Sequence, residues 1–242
     1  NAHGAHWTHF LNTLSIFFPA GERFFIQSIR NYRDQISDAE LKKAVAAFIG
    51  QEAFHTREHE EYNEAMAKAG LGTEKMEKTV EDLLANVQRV LPKPLQLAVT
   101  VALEHLTAMM AELVLVDDYF FASSEPHYHA LWQWHAMEET EHKGVAFDVY
   151  EKVIGKGPKA YAMRTGVFVA ANLIFWALVS RYYWNVVKAD KLHRDRKGWG
   201  KALRLLFGRG GMVPRMTGEW LDFFRPGFHP WDKNNSYHLQ RA

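Results

Sequence analysis

Apolar residues recur at three- and four-residue intervals along almost the whole chain, the signature of amphipathic helices. No segment alternates apolar and polar positions between hairpin turns, so strands are not expected. A first helix is predicted over 20–34, after Phe17-Phe18-Pro19. Ser37-Asp38-Ala39-Glu40 reads as a capping box with Ser37 at the N-cap, and it opens a helix to about Ala69, where Gly70 supplies the stop. A shorter helix is expected over 73–90, and one over 94–122 with Pro94 in its first turn. The next starts after Ser123-Ser124-Glu125-Pro126 and ends near Gly155, with Gly157-Pro158 as the boundary. The pattern is that of an all-α, ferritin-like four-helix bundle over 1–158, with 159–242 as an apolar helix and a basic, aromatic extension packed on the bundle.

That last third changes character. Residues 166–180 carry no charge, with Arg164 and Arg181 on either side, a stretch shorter than the roughly 20 residues a spanning helix needs. A buried fifth helix or an interfacial one is expected. Residues 188–215 are rich in Lys and Arg interleaved with Trp199, Leu203 and Phe207. This reads equally as a solvated basic face or as a segment lying on an anionic membrane, so 159–215 is the expected site of any peripheral membrane contact. The tail from Met212 reads as an irregular wrap.

Composition narrows the chemistry. The 242 residues are 48% hydrophobic and 14% aromatic, enough for one sizeable core, and the net charge of +1 gives no reason to expect nucleic acid. There is no cysteine. Thiolate zinc sites and iron–sulfur clusters are excluded, a cytoplasmic setting fits, and any metal must sit on His, Asp or Glu. No phosphate-binding glycine loop and no nucleophile elbow is present.

Two segments stand out. Glu52, His55 and His59 are spaced by three and four, and His135, Glu139 and His142 by four and three, so each set lies on one face of its helix. Two more carboxylates, Glu22 and Glu104, fall in apolar runs where an unpaired charge is costly. The order Glu, Glu-x-x-His, Glu, Glu-x-x-His is that of a dimetal carboxylate bundle. Glu22, Glu52, His55, Glu104, Glu139 and His142 are the expected ligands. His135 reads as a further ligand, and His59 equally as ligand or as hydrogen-bonding neighbour. His105 should point away; Glu138 and Glu141 flank the motif in solvent or behind the ligands. Asn63, Tyr62 and Asp148 are placed to hydrogen-bond ligands. His3, His6 and His9, spaced by three, read as part of a polar N-terminal arm in preference to an adventitious metal site. Oxygen and imidazole donors suit iron, manganese or zinc.

Phe18-Pro19-Ala20-Gly21-Glu22-Arg23-Phe24-Phe25, Gln51-Glu52-Ala53-Phe54-His55 and the segment Trp134 to Lys143 resemble the bacterial family described as predicted metal-dependent hydrolases, over about 7–231. Locally, His135-x-x-x-Glu139-x-x-His142 is similar to the extra-histidine helix of di-iron N-oxygenases, which implies iron and dioxygen. The leading expectation is therefore a di-iron oxygenase or oxidase acting on a small apolar molecule, with Ala108 and Ala111 leaving room above two iron ions. The alternatives are a dimetal hydrolase using zinc or manganese, and a non-enzymatic metal-binding or membrane-associated protein. A homodimer through one helix face fits bundles of this type.

Overall fold

A computed structural model describes residues 1–116 and 118–235. It is all-α, as the periodicity requires, with no strand among the described residues. The helices are α1 (Ala5–Ser15), α2 (Phe18–Arg30), α3 (Ala39–Lys68), α4 (Glu74–Val90), α5 (Lys93–Val116), α6 (Pro126–His142), α7 (Val145–Val153), α8 (Pro158–Ala189), α9 (Arg196–Phe207) and α10 (Met212–Asp222).

Local chemistry sets the boundaries. The N-cap of α3 is Asp38, one residue later than expected, and its Oδ1 accepts the Leu41 N–H at 2.8 Å. Beyond α3, Gly70 takes φ +84, a left-handed conformation that glycine adopts without a Cβ clash. Glu125 caps α6, accepting the Tyr128 N–H at 3.2 Å ahead of Pro126.

Three elements differ from the sequence reading. The N-terminal arm is helix α1, and its polar residues are buried by distant partners: His9 Nε2 meets Asp190 at 2.8 Å, and the Tyr62 hydroxyl donates to Asn12 Oδ1 at 2.7 Å. The tail contains helix α10. The helix expected to run to Gly155 is interrupted at Lys143-Gly144, between α6 and α7. The tail packs against this break: a Cβ on Gly144 would stand 2.6 Å from Trp231 Nε1, and Lys143 Nζ donates to Lys233 O at 2.8 Å and to Asn235 Oδ1 at 2.6 Å. Burial lowers the Lys143 pKa to about 8.

Helices α2, α3, α5 and α6 surround the residues singled out above. Helix α8 lies along α5 and α1; its Phe168, fully buried, stacks on Phe223 beyond α10 at 4.1 Å. Helices α5 and α8 are both long and apolar enough to cross a membrane; the apolar window of α5 is 56% buried within the protein and that of α8 only 22%. Counting between Arg164 and Arg181 underestimates α8, which runs for 32 residues. Arg164 is itself buried, its guanidinium 4.8 Å from the Phe223 ring centre, so it does not mark an exposed end.

Candidate metal centre

The eight residues expected to hold metal are brought together at the centre of these helices. All are 3% exposed or less: Glu22 from α2, Glu52, His55 and His59 from α3, Glu104 from α5, and His135, Glu139 and His142 from α6. Ligand atoms of Glu52, His55, Glu139 and His142 lie within 4.8 Å of one another, and those of Glu22, His55 and His135 form a second such group. His142 links further: its Nε2 is 3.1 Å from Glu52 Oε1 and its Nδ1 3.4 Å from Glu104 Oε2.

These approaches are close but not aligned as hydrogen bonds. Both oxygens of Glu22, Glu52 and Glu104 and both ring nitrogens of His55 and His142 are buried without a hydrogen-bond partner. Among the described residues no Arg or Lys neutralises the four glutamates. Buried carboxylates left this way are expensive. Convergent lone pairs on oxygen and imidazole are the complement of a hard or borderline cation, so the donor set fits metal ions.

The charge state without metal follows from the same crowding. Burial, reinforced by Glu52 and Glu139, pushes Glu22 and Glu104 well above the carboxylate range. Burial also raises Glu52, against the pull of His142. Burial opposes ionisation of Glu139 too, but His135 and His142 outweigh it and hold that carboxyl at about 2. For His142, burial is outweighed by Glu104 and Glu52, which hold the imidazolium well above its ordinary range.

His59 and His135 differ from the rest in being fully hydrogen-bonded. Asn63 Nδ2 donates to Ser15 O at 3.1 Å, which fixes the amide so that Asn63 Oδ1 accepts the Ser15 hydroxyl at 2.7 Å. With its one proton used, Ser15 Oγ accepts Nδ1–H of His59 at 2.8 Å. Burial, with His135 and His55 nearby, keeps His59 well below its usual pKa and neutral. Its Nε2 therefore accepts Nδ1–H of His135 at 2.8 Å. His135 Nε2 in turn lies 3.0 Å from Glu139 Oε1, a hydrogen-bond distance without metal and a pair of donor atoms that a cation would share. Glu139 is aimed from its other side, where Thr107 Oγ1 donates to Oε2 at 2.7 Å.

The remaining candidates lie elsewhere or at the margin. His105 points away, stacked on Phe223 at 4.9 Å, its Nε2 3.2 Å from Glu219 O. Asp148 contacts His229 at 3.0 Å and no ligand. His6 and His9 bind into the α1 interface and His3 contacts the Tyr119 carbonyl, so none joins the centre. Glu138 is nearer than expected, its Oε2 2.9 Å from His55 Nε2 with its side chain 22% exposed. Sequence reasoning missed Ser15 and Thr107, short hydroxyl residues on helices other than their partners', with no local signal. Ala111 lines a small cavity of about 50 Å³ beside His135 and Glu139.

Fold and site together define an all-α protein with a buried glutamate–histidine metal centre. The chain belongs to the family described as "Predicted metal-dependent hydrolase", whose model matches residues 1–234. No curated protein and no solved structure matches it significantly. The family assignment overturns the oxygenase expectation. The local His135–Glu139–His142 likeness rests on a donor set that zinc and manganese accept as readily as iron, so it could not separate oxygen chemistry from hydrolysis. The full-length match supports the hydrolase alternative instead.

Proposed function

We propose that the protein is a hydrolase that holds two divalent ions, zinc or manganese, in this centre. The observation that carries the reading is the set of buried, unpartnered carboxylate and imidazole atoms on four helices of a chain in a metal-dependent hydrolase family. Glu22, Glu52, His55, Glu104, Glu139, His142 and the Nε2 of His135 would hold the ions, with His59 behind them as a positioning residue. When bound, such ions supply Lewis acidity to a scissile carbonyl or phosphoryl oxygen and acidify water.

The remaining roles belong to side chains. The Asn63–Ser15–His59 chain orients His135, and Thr107 orients Glu139. Glu138, at the rim and partly exposed, is held ionised by His55 against the effect of burial; its Oε2, buried beside His55 Nε2 at 2.9 Å, would take up a proton there and the carboxyl would carry it toward the rim. The apolar walls around the centre limit bulk water.

The test is metal analysis of the purified protein, then reloading with zinc or manganese and assay against carboxylic and phosphate esters with and without oxygen. Metal-dependent cleavage indifferent to oxygen is expected. A fully loaded protein that cleaves neither class of ester would defeat the proposal.

Removing His59 tests its place behind the ligands. His59→Ala or Ser15→Ala should weaken metal affinity about 10- to 100-fold while leaving the number of ions bound at saturation unchanged. An ion lost per chain at saturation would instead make His59 a ligand.

A further inference from the structure

A second, larger cavity of about 270 Å³ lies between α2, α4, α5 and α8. Its wall is apolar throughout except at one end, where it meets Glu22 and Thr107. Both belong to the metal centre: Glu22 as a buried unpartnered carboxylate, Thr107 as the donor that aims Glu139. The cavity therefore borders the metal centre at these two residues, with the Glu22 oxygens themselves shielded.

Its shape is long. On α5 the lining runs Leu95, Val99, Leu103, Thr107 and Met110, one face of the helix over about 22 Å at the α-helical rise. Leu84 on α4 and Ala171 and Phe175 on α8 close the sides. These three are half-buried, and the rim includes Ile174, which is 52% exposed. Beside it Leu173 is 68% exposed, on the charge-free part of α8. A long apolar channel with one acidic and one hydroxyl residue toward one end matches a linear molecule, apolar along its length and polar at its head. A compact ring system would leave most of that length unfilled. Apolar lining of this kind gives water no partners, so an apolar chain entering it gains by desolvation without displacing polar contacts.

We propose that the channel binds the acyl chain of a carboxylic ester, with the ester carbonyl at the Glu22–Thr107 end. The ester depends on the hydrolase reading; the chain site does not. Hydrolysis there consumes one water and breaks the acyl C–O bond, with one water proton passing to the departing alkoxide and the other released as the carboxylic acid ionises. No oxidant or reductant takes part.

The test uses the full chain loaded with metal and a fluorescent fatty acid, cis-parinaric acid, displaced by saturated carboxylates of rising length. Affinity should rise about fourfold per added methylene until the channel is full, then level off. Ala171→Trp and, separately, Leu84→Trp place a ring in the channel from opposite walls and should each cut affinity at least tenfold, with metal content and helicity unchanged. Absence of displacement at every chain length, or unchanged affinity in both variants, would overturn the site. Ile174→Glu at the rim should slow uptake of the probe from phosphatidylcholine vesicles while leaving titration with dissolved probe intact; unchanged uptake would overturn this rim as the entry. The two readings fail separately. Chain-length-dependent binding without cleavage of any ester would sink the hydrolase and keep the channel, whereas cleavage of esters with no preference for longer chains would sink the channel and keep the hydrolase.

Discussion

Stripped of metal, the protein should melt well below its loaded form, and the gap should widen as pH rises. Each ion held at about 100 times its dissociation constant adds about 2.7 kcal/mol. For a chain of this length that is roughly 5–10 °C per ion. The pH dependence comes from the groups left behind. Glu22 and Glu104 have folded pKa values raised by burial and mutual repulsion, so their contribution is complete at pH below the ordinary carboxylate value, about 4.3, and is lost as pH climbs through the raised values. His142, raised by Glu104 and Glu52, acts in the same direction above about 6.5. Glu139, depressed to about 2, loses its contribution only in strong acid, and His55 and His59, lowered by burial, oppose the trend only below about 6.5, so the widening is read above that pH. Metal binding must expel the protons on Glu22 and Glu104, so affinity rises with pH where stability of the empty protein falls. Thermal melts of chelator-treated and reloaded protein between pH 5.5 and 8.5 would measure this. Melting temperatures that coincide, or a gap that narrows with pH, would contradict this assignment of the ligands.

The second large effect is expected at Glu139. Its Oε1 faces Nε2 of His135 at 3.0 Å, its Oε2 takes the Thr107 hydroxyl, and His55 Nδ1 lies 3.9 Å away. Glu139→Gln keeps the shape and removes the anion of the first ligand group that also faces His135 of the second. Residues that only support ligands typically cost 10- to 100-fold in metal affinity, so a loss beyond 100-fold is expected here. Glu138→Gln, at the rim, should leave metal content near normal. Metal titration of both variants separates the cases, and a Glu139→Gln protein that binds metal like the parent would remove Glu139 from the ligand set.

The clustered glutamates and histidines were legible because the candidate ligands recur at three- and four-residue spacing on one face of a helix, and because a carboxylate in an apolar run is costly without a cation beside it. The long helices were legible from their period, and Gly70 from its place at the end of one. Helix α1 was hidden because His9, Asn12 and Ser15 look solvated until Asp190, Tyr62 and His59 cover them, partners far along the chain. The interruption at Lys143-Gly144 had one local signal, the glycine itself, while its packing against Trp231 comes from far along the chain. The donor set named metal but not reaction, because the same oxygen and nitrogen ligands serve oxygen activation and hydrolysis alike.

The depth of the ligands also bears on which element the protein carries in a cell. With every donor almost wholly shielded from solvent, an ion can enter or leave only when the helices part. Exchange is then governed by the frequency of opening, and an ion caught while the chain folds is retained by a barrier as well as by affinity. We expect release to a chelator to become independent of chelator concentration once opening is limiting; a rate that keeps rising in proportion would refute this. On that footing the resident metal records supply at the time of folding more than preference at equilibrium, and protein made in a foreign host would carry that host's metal.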